Sequence, residues 1–525
     1  MKKLTSARIC QYIFLALFLG LFVMTDYRGR DDLPVAVNSF FRADPLVAVG
    51  TLLAAKGWNW LVVPGLLVLV ASALLGRFFC GWLCPLGTLL DLITPRIAKR
   101  GALPLLSGTL KYWLLALLLA TALLNLNLVG LLDPLAILLR GLTFSLYPFV
   151  GDSVRQGWVG LYRLLGEHRD VLSPAYGVLR DHLLPFRETV YPLAFTSLFI
   201  LTGIFFLERY ETRNWCRNLC PLGTLLGLVS RFSLVRRLPL RLCADCDQCR
   251  DVCPTSFTSE LLQQEECILC LECQRHCPHN RVVFRVGSAL QSATGTDYSR
   301  GRRALLGGLL CGVVLARLSR FRDPAVQARL LRPPGVLDEG EFLTRCVRCG
   351  ECFKVCLTSA LYPAVGQAGA VGLYTPVVLP RLGYCEYNCT LCGQVCPTGA
   401  IPRLARPEKQ RQVLGKAVFD RNHCLPYARL VPCNVCEEHC PIPTKAIRTK
   451  PVSELDPAGR PVTLDRPYVV PELCNGCGIC EHVCPLEGKP GIEVVAAKDR
   501  TPLSPVELAE AQTKALATPS AEIPY

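Results

Sequence analysis

Charge is scarce in this chain. Only 19% of its 525 residues are Asp, Glu, Lys or Arg, against 51% hydrophobic. That excludes a disordered polymer, which needs low hydrophobicity and high charge. Lys/Arg-rich runs are missing as well. The net charge is +15 and the mean hydropathy +0.32, but the basic residues do not gather into the stripe that a nucleic-acid surface requires. Histidine is short: His168, His182, His276, His279, His423, His439 and His482 all lie outside the apolar runs, and there is no C-x-x-C-H. The sequence therefore offers neither a bis-histidine nor a c-type haem site. Cysteine is plentiful, with 30 residues, in a chain far too long for a small disulfide-stapled domain.

The apolar residues concentrate at Ile9–Met24, Leu61–Leu75, Tyr112–Leu132 and Tyr191–Leu207, with a fifth run at Ala304–Leu318. Four such runs within 210 residues predict a membrane α-helical bundle, with flanking Trp58, Trp60, Phe78 and Phe79 completing the shorter spans. Basic residues mark one side: Lys2, Lys3 and Arg8; Arg96, Lys99, Arg100 and Lys111; and Arg209, Arg213, Arg217, Arg231, Arg236, Arg237 and Arg241. This predicts four crossings of a bacterial inner membrane, with the N-terminus and the first two cysteine groups on the cytoplasmic side. Arg300, Arg302 and Arg303 precede the fifth run, which then leads the rest of the chain outward as an anchor helix.

The bundle carries a repeat. Cys80-Gly-Trp-Leu-Cys84-Pro-Leu-Gly-Thr-Leu-Leu recurs as Cys216-Arg-Asn-Leu-Cys220-Pro-Leu-Gly-Thr-Leu-Leu, so the four helices read as two equivalent pairs. Cysteines at i and i+4 share one helix face, and pairing of the repeats would bring all four together. Three readings stay open for them. They are a shared metal centre forming a seventh iron–sulfur site, close-packed residues at helix ends kinked by Pro85 and Pro221, or a disulfide within each pair.

Six further groups contain four cysteines each. Cys243, Cys246, Cys249 and Cys253 have the spacing C-x2-C-x2-C-x3-C followed by proline, and Cys267, Cys270, Cys273 and Cys277 repeat it. Three thiolates on a short loop embrace one face of a [4Fe–4S] cube, and the fourth reaches the neighbouring cube. Cys277 is thus expected with Cys243, Cys246 and Cys249, and Cys253 with Cys267, Cys270 and Cys273. Zinc sites instead favour two C-x2-C pairs. Further on come Cys346, Cys349, Cys352 and Cys356; Cys385, Cys389, Cys392 and Cys396; Cys424, Cys433, Cys436 and Cys440; and Cys474, Cys477, Cys480 and Cys484. The second and third of these are stretched, and Leu357 replaces the proline after the first. The expected cofactors are six [4Fe–4S] clusters. At about −2 each when oxidised, they offset most of the +15. Cys10 and Cys311 lie in apolar runs as bystanders.

Four helices with two C-x3-C-P motifs and a dicluster run resemble the NapH-type membrane subunit of quinol dehydrogenases. The four-group remainder is similar to the NapG/MauM-type periplasmic ferredoxins, and Arg302-Arg303 stands where the twin-arginine export signal of that family begins. The resemblance implies a fusion with four parts and a tail. A transmembrane domain covers 1–210, and an inner two-cluster α+β ferredoxin domain covers 211–300. The fifth helix covers 301–320, an outer four-cluster ferredoxin domain 321–500, and a tail 501–525. It implies nested pairing of the outer groups, first with fourth and second with third. It also implies quinol as substrate and a periplasmic cytochrome or reductase as partner. Supply of electrons to maturation of a periplasmic metalloenzyme, and flow from an inner ferredoxin, are the alternative uses. Asp133 and Arg140, beside the apolar stretch that follows Pro134, are the candidate quinone-site residues.

Overall fold

The computed structural model describes residues 6–29, 31–33, 35–94, 109–165, 173–187, 189–238, 252–255, 266–278, 282–286, 298–318, 330–336, 338–497 and 500–517. These form two compact units. One comprises 1–28, 34–321 and 343–351, and the other 29–33, 322–342 and 352–525.

In the first unit the five apolar runs become the helices Ser6–Met24, Val63–Leu75, Leu110–Leu123, Ala194–Leu207 and Tyr298–Leu318. The third stops short of its expected end at Leu132. Asn125 takes a left-handed φ of 64° and the chain restarts as the short helix Val129–Leu132. The apolar stretch after Asp133 is a continuous helical segment, Pro134–Leu164, with a π-helical turn at Leu142–Leu146. By length and composition, this segment and Ser6–Met24 are long and apolar enough to cross a membrane, while Trp60–Leu75, Leu110–Leu123 and Ala194–Leu207 are shorter. Large apolar side chains face outward along the helices, including Leu67, Val70, Phe195, Phe199, Leu306 and Leu310, all more than half exposed.

The repeat is longer than its cysteines. Asp44-Pro45-Leu46 and Asp133-Pro134-Leu135 open the helices Pro45–Ala55 and Pro134–Gly141 in the two halves. Proline suits the first helical position, where its missing N–H is not needed, and aspartate caps the free amides. Asp44 accepts from the Leu46 and Val47 amides at 2.7 and 3.1 Å, and Asp133 from Ala136 at 2.8 Å.

The helix Tyr298–Leu318 packs along Leu110–Leu123 through small residues. A side chain at Gly308 would strike the Trp113 carbonyl, and one at Gly312 would meet the Leu117 carbonyl and the Ala120 methyl. A Gly-x3-Gly face against Ala116 and Ala120 brings the two backbones close. The described residues of the first ferredoxin part belong to this same unit. Its strands Val235–Leu238 and Val283–Val286 pair antiparallel, with Val235 opposite Val286.

The second unit is a series of cysteine loops, each leading into a short helix, tied by two-stranded antiparallel sheets. Gly415–Phe419 pairs with Ile492–Ala496, bringing the third and fourth outer groups together, and Leu361–Pro363 pairs with Pro376–Val378. The hairpin Ile447–Leu455/Pro461–Val469 fills the interval between the third and fourth groups. The helix Pro505–Ala517 occupies the expected tail.

Candidate metal centres

Cys80 ends up on a helix of five residues, Phe78–Trp82, and Cys84 is not on it. Cys84 is extended (φ −68°, ψ 113°) and caps the next helix, Pro85–Ile93. The second copy is the same: Cys216 lies on Asn214–Asn218, and Cys220 (φ −67°, ψ 113°) caps Pro221–Ser230. The expected i, i+4 helix face is therefore corrected. A residue before proline is pushed out of the helical region, so each pair straddles a helix break. The break turns the second sulfur toward helix amides. Gly223 N–H donates to the Cys220 sulfur at 3.3 Å, and the Gly87 amide acts electrostatically on that of Cys84. All four thiols are unbridged, and they lie within range of one another's charge.

Two arginines that sequence reasoning counted as loop charge or passed over complete this site. Arg77 and Arg213 each stand three residues before the first cysteine of a copy, and both are buried. Arg77 Nε donates to the Cys80 sulfur at 3.5 Å, and its Nη2 to the Cys216 carbonyl at 3.2 Å. Arg213 Nη1 donates to the Cys80 carbonyl at 2.9 Å. Their counter-ions are Glu266 at 3.1 Å and Asp91 at 2.7 Å. The signal was present as R-x-x-C-x3-C-P in both copies.

Of the inner ferredoxin cysteines, Cys243, Cys246 and Cys249 fall outside the described residues. Cys253 stands within charge range of Cys267 and Cys270. The loop of these last two sits on the helical body. A side chain at Gly81 would strike the Ile268 carbonyl, and Trp82 Nε1 donates to the Leu269 carbonyl at 3.0 Å. Glu266 binds both Arg77 and Lys111. Burial alone would raise the Glu266 carboxyl, but Lys111 and Arg77 outweigh it and hold the group below its ordinary value.

A second cysteine loop is seated on the same unit. A side chain at Gly130 would strike the Val347 carbonyl, between Cys346 and Cys349. Asn127 Nδ2 donates to the Thr344 carbonyl at 3.1 Å, and Arg348 donates to the Asn127 carbonyl. Leu269 and Arg348, each just before the second cysteine of its loop, share a left-handed φ, 55° and 53°. Arg140 donates to the carbonyls of Gly130, Leu131 and Arg348 at 2.7, 3.1 and 3.1 Å. Asp133 is fully buried as a helix cap, beside the equally buried Asp44. Arg140 thus braces the loop, and Asp44 is the neighbour that the sequence reading missed.

In the second unit the expected nesting gives way to pairing of adjacent groups. Cys356 stands with Cys389 and Cys392, Cys484 with Cys424, and Cys440 with Cys474, Cys477 and Cys480. The second and fourth groups touch, the Cys385 amide donating to the Cys477 carbonyl at 2.8 Å. Amides also point at the fourth sulfurs: Ala360 to Cys356, Ile401 to Cys396, Ala446 to Cys440 and Gly491 to Cys484, at 3.2 to 3.4 Å. Burial, helped by neighbouring thiolates, pushes the Cys389 and Cys424 thiols up to about 11 and those of Cys436 and Cys477 up to about 12. Iron binding must displace those protons. Among the described residues no three Cys, His, Asp or Glu side chains gather as a single ion requires. Sulfurs on one zinc ion lie within about 4.6 Å of each other, given bonds of about 2.3 Å. Thiols that accept from backbone amides suit an anionic iron–sulfur cluster.

Comparison with known proteins agrees. A 4Fe-4S binding domain model matches residues 57–101 and 192–240, segments whose cysteines are Cys80, Cys84, Cys216 and Cys220. A 4Fe-4S dicluster domain model matches 431–487. No solved structure matches. The methylamine utilization ferredoxin-type protein MauM of Paracoccus denitrificans is 40% identical over 184 residues, 34% of this chain and 78% of the relative. The ferredoxin-type proteins NapG and NapF of Escherichia coli are 34% and 32% identical, over 37% and 30% of this chain and 85% and 80% of their own lengths. Through that third of its length the chain, an iron–sulfur electron-transfer protein, belongs to the MauM/NapG ferredoxin-type family.

Proposed function

We propose that the chain is a membrane-bound quinol dehydrogenase that delivers electrons to a periplasmic cytochrome or reductase. The observation that carries this reading is the seating of two cysteine loops at opposite ends of one helix. Glu266 binds Lys111 at the start of Leu110–Leu123, and Asn127, just past its end, binds Thr344 and Arg348. At about 1.5 Å per residue the ends are roughly 20 Å apart, a large part of the ~30 Å hydrocarbon core of a bilayer. The outward apolar side chains of the helices support the same placement.

Bound iron–sulfur clusters supply one-electron transfer, and the chain's own residues supply the rest. Quinol oxidation releases protons in an apolar setting, and Asp133, facing Asp44, is placed to take one. Arg140, through its three carbonyls, keeps the Cys346–Cys349 loop next to that pair.

The test is quinol-dependent reduction of the clusters in the full chain reconstituted in liposomes, followed by redox titration. Asp133→Asn should abolish reduction by quinol while leaving dithionite-reducible iron unchanged. Unaltered turnover in that variant would reject the site. Absence of any quinol-dependent reduction in the parent chain would reject the function.

A further inference from the structure

We infer that the two C-x3-C-P copies build one composite iron–sulfur site, and that Arg77 and Arg213 are its positioning residues, each reaching across from its own copy to the other. The inference rests on the reading of the chain as an iron–sulfur electron-transfer protein and goes beyond it by assigning ligands, unity and charge balance to one centre.

The exchange of arginines is the central observation. Arg77 precedes Cys80, yet its Nη2 binds the Cys216 carbonyl and fills the space where a Gly223 side chain would stand. Arg213 precedes Cys216, yet its Nη1 binds the Cys80 carbonyl, and both of its terminal nitrogens come within 3.5 Å of the place of a Gly87 side chain. Any side chain at Gly223 would expel Arg77. Each copy therefore lends its cation to the other, and neither copy makes a complete pocket alone.

The charge points the same way. Burying two guanidiniums costs several kcal/mol each unless negative charge answers them. Asp91 and Glu266 answer part of this, and Arg77 Nε is additionally aimed at the Cys80 sulfur. Four thiolates on iron are net negative, so two cations beside them are matched to a loaded centre. The amides of Gly87 and Gly223, at the N-terminal ends of helices of 9 and 10 residues, add partial positive charge at Cys84 and Cys220. The site also has a neighbour. Glu266, which binds Arg77, directly precedes Cys267, and Arg213 is within charge range of Cys270. One electron exchanged between these centres lowers the charge of the acceptor by one and raises that of the donor by one. No proton need move.

The experiment uses the full chain purified in detergent, with iron and acid-labile sulfide counts and an EPR-monitored redox titration. Cys80→Ser and Cys216→Ser should each remove the same signal and about four irons, and the double variant should remove no more. The signals of the inner and outer ferredoxin groups, retained, report that the variants are folded. Iron unchanged in both single variants, or two separate signals lost additively, overturns the composite site. Arg77→Gln should keep the iron but favour the oxidised form tenfold or more, a midpoint about 59 mV lower, with Arg77→Lys recovering part of the shift. An unmoved midpoint overturns the role of the arginines. Quinol-dependent reduction is a separate readout: its failure with the iron counts intact would reject the proposed substrate and leave this centre standing.

Discussion

The two seated loops differ in what holds them. Both press the carbonyl that follows their first cysteine, Ile268 or Val347, onto a glycine of the helical body, Gly81 or Gly130, and both turn back through a left-handed residue. At the Ile268 loop the clamp is ionic, with Glu266 between Arg77 and Lys111. At the Val347 loop it is made of hydrogen bonds to backbone carbonyls from Asn127, Arg140 and Arg348. The backbone contact is thus a common device for bringing a cysteine loop close, and the side chains around it are free to differ. An ionic clamp depends on pH and on every partner being present, whereas a clamp of carbonyl hydrogen bonds depends on shape.

The sharpest break of this comparison is Glu266→Ala. It leaves Arg77 and Lys111 without their shared counter-ion, which should cost about 3–5 kcal/mol, read as a lowered unfolding temperature and faster hydrogen exchange in 266–278. An unchanged exchange pattern would show that the ionic clamp is not what seats the loop. Gly130→Val comes next. Its side chain would meet backbone that cannot yield cheaply, and overpacking of this kind costs about 1–3 kcal/mol. Protease protection of 343–351 should fall while that of 266–278 is unaltered. Loss of protection in both would mean the two seats are not independent. Trp82→Phe removes one hydrogen bond to the Leu269 carbonyl and should cost about 1 kcal/mol, visible in the denaturant midpoint.

The pH dependence separates the seats without mutation. Glu266 is held below the ordinary glutamate value of about 4.3. A depressed carboxyl contributes stability that is complete above the unfolded value and is lost as pH falls through the folded one. Acidification below the ordinary glutamate range should therefore release 266–278, and Glu266→Gln should remove that step from the titration. A step that persists in the variant would assign it to another group.

Local chemistry was legible in the sequence, and geometry set by distant partners was not. The cysteine spacings identified iron–sulfur groups because in four of the six groups three ligands lie within seven residues, and the apolar runs located five helices. The outer pairing could not be read, because it is decided by which loops the Gly415–Phe419 and Ile492–Ala496 strands bring together. Cys80 and Cys84 do not share a helix face because Pro85 forces Cys84 out of the helical conformation and the helix ends at Trp82. Arg213 and Lys111 were counted as loop charges, yet each is buried against a carboxylate more than 100 positions away in sequence. Arg140 braces a loop and Asp133 caps a helix, roles that need partners the local sequence does not name. Asp44, their counterpart in the first half, was marked only by the repeated Asp-Pro-Leu.

The inclusion of residues 343–351 in the helical unit has a kinetic consequence. A separate ferredoxin must find its donor by diffusion before each transfer, and steering between charged surfaces makes such encounters slow down as salt is added. Cys346 and Cys349 are already in place. The handover that begins at this loop should then be first order, indifferent to protein concentration and to ionic strength, leaving salt dependence to whatever partner collects the electrons afterwards.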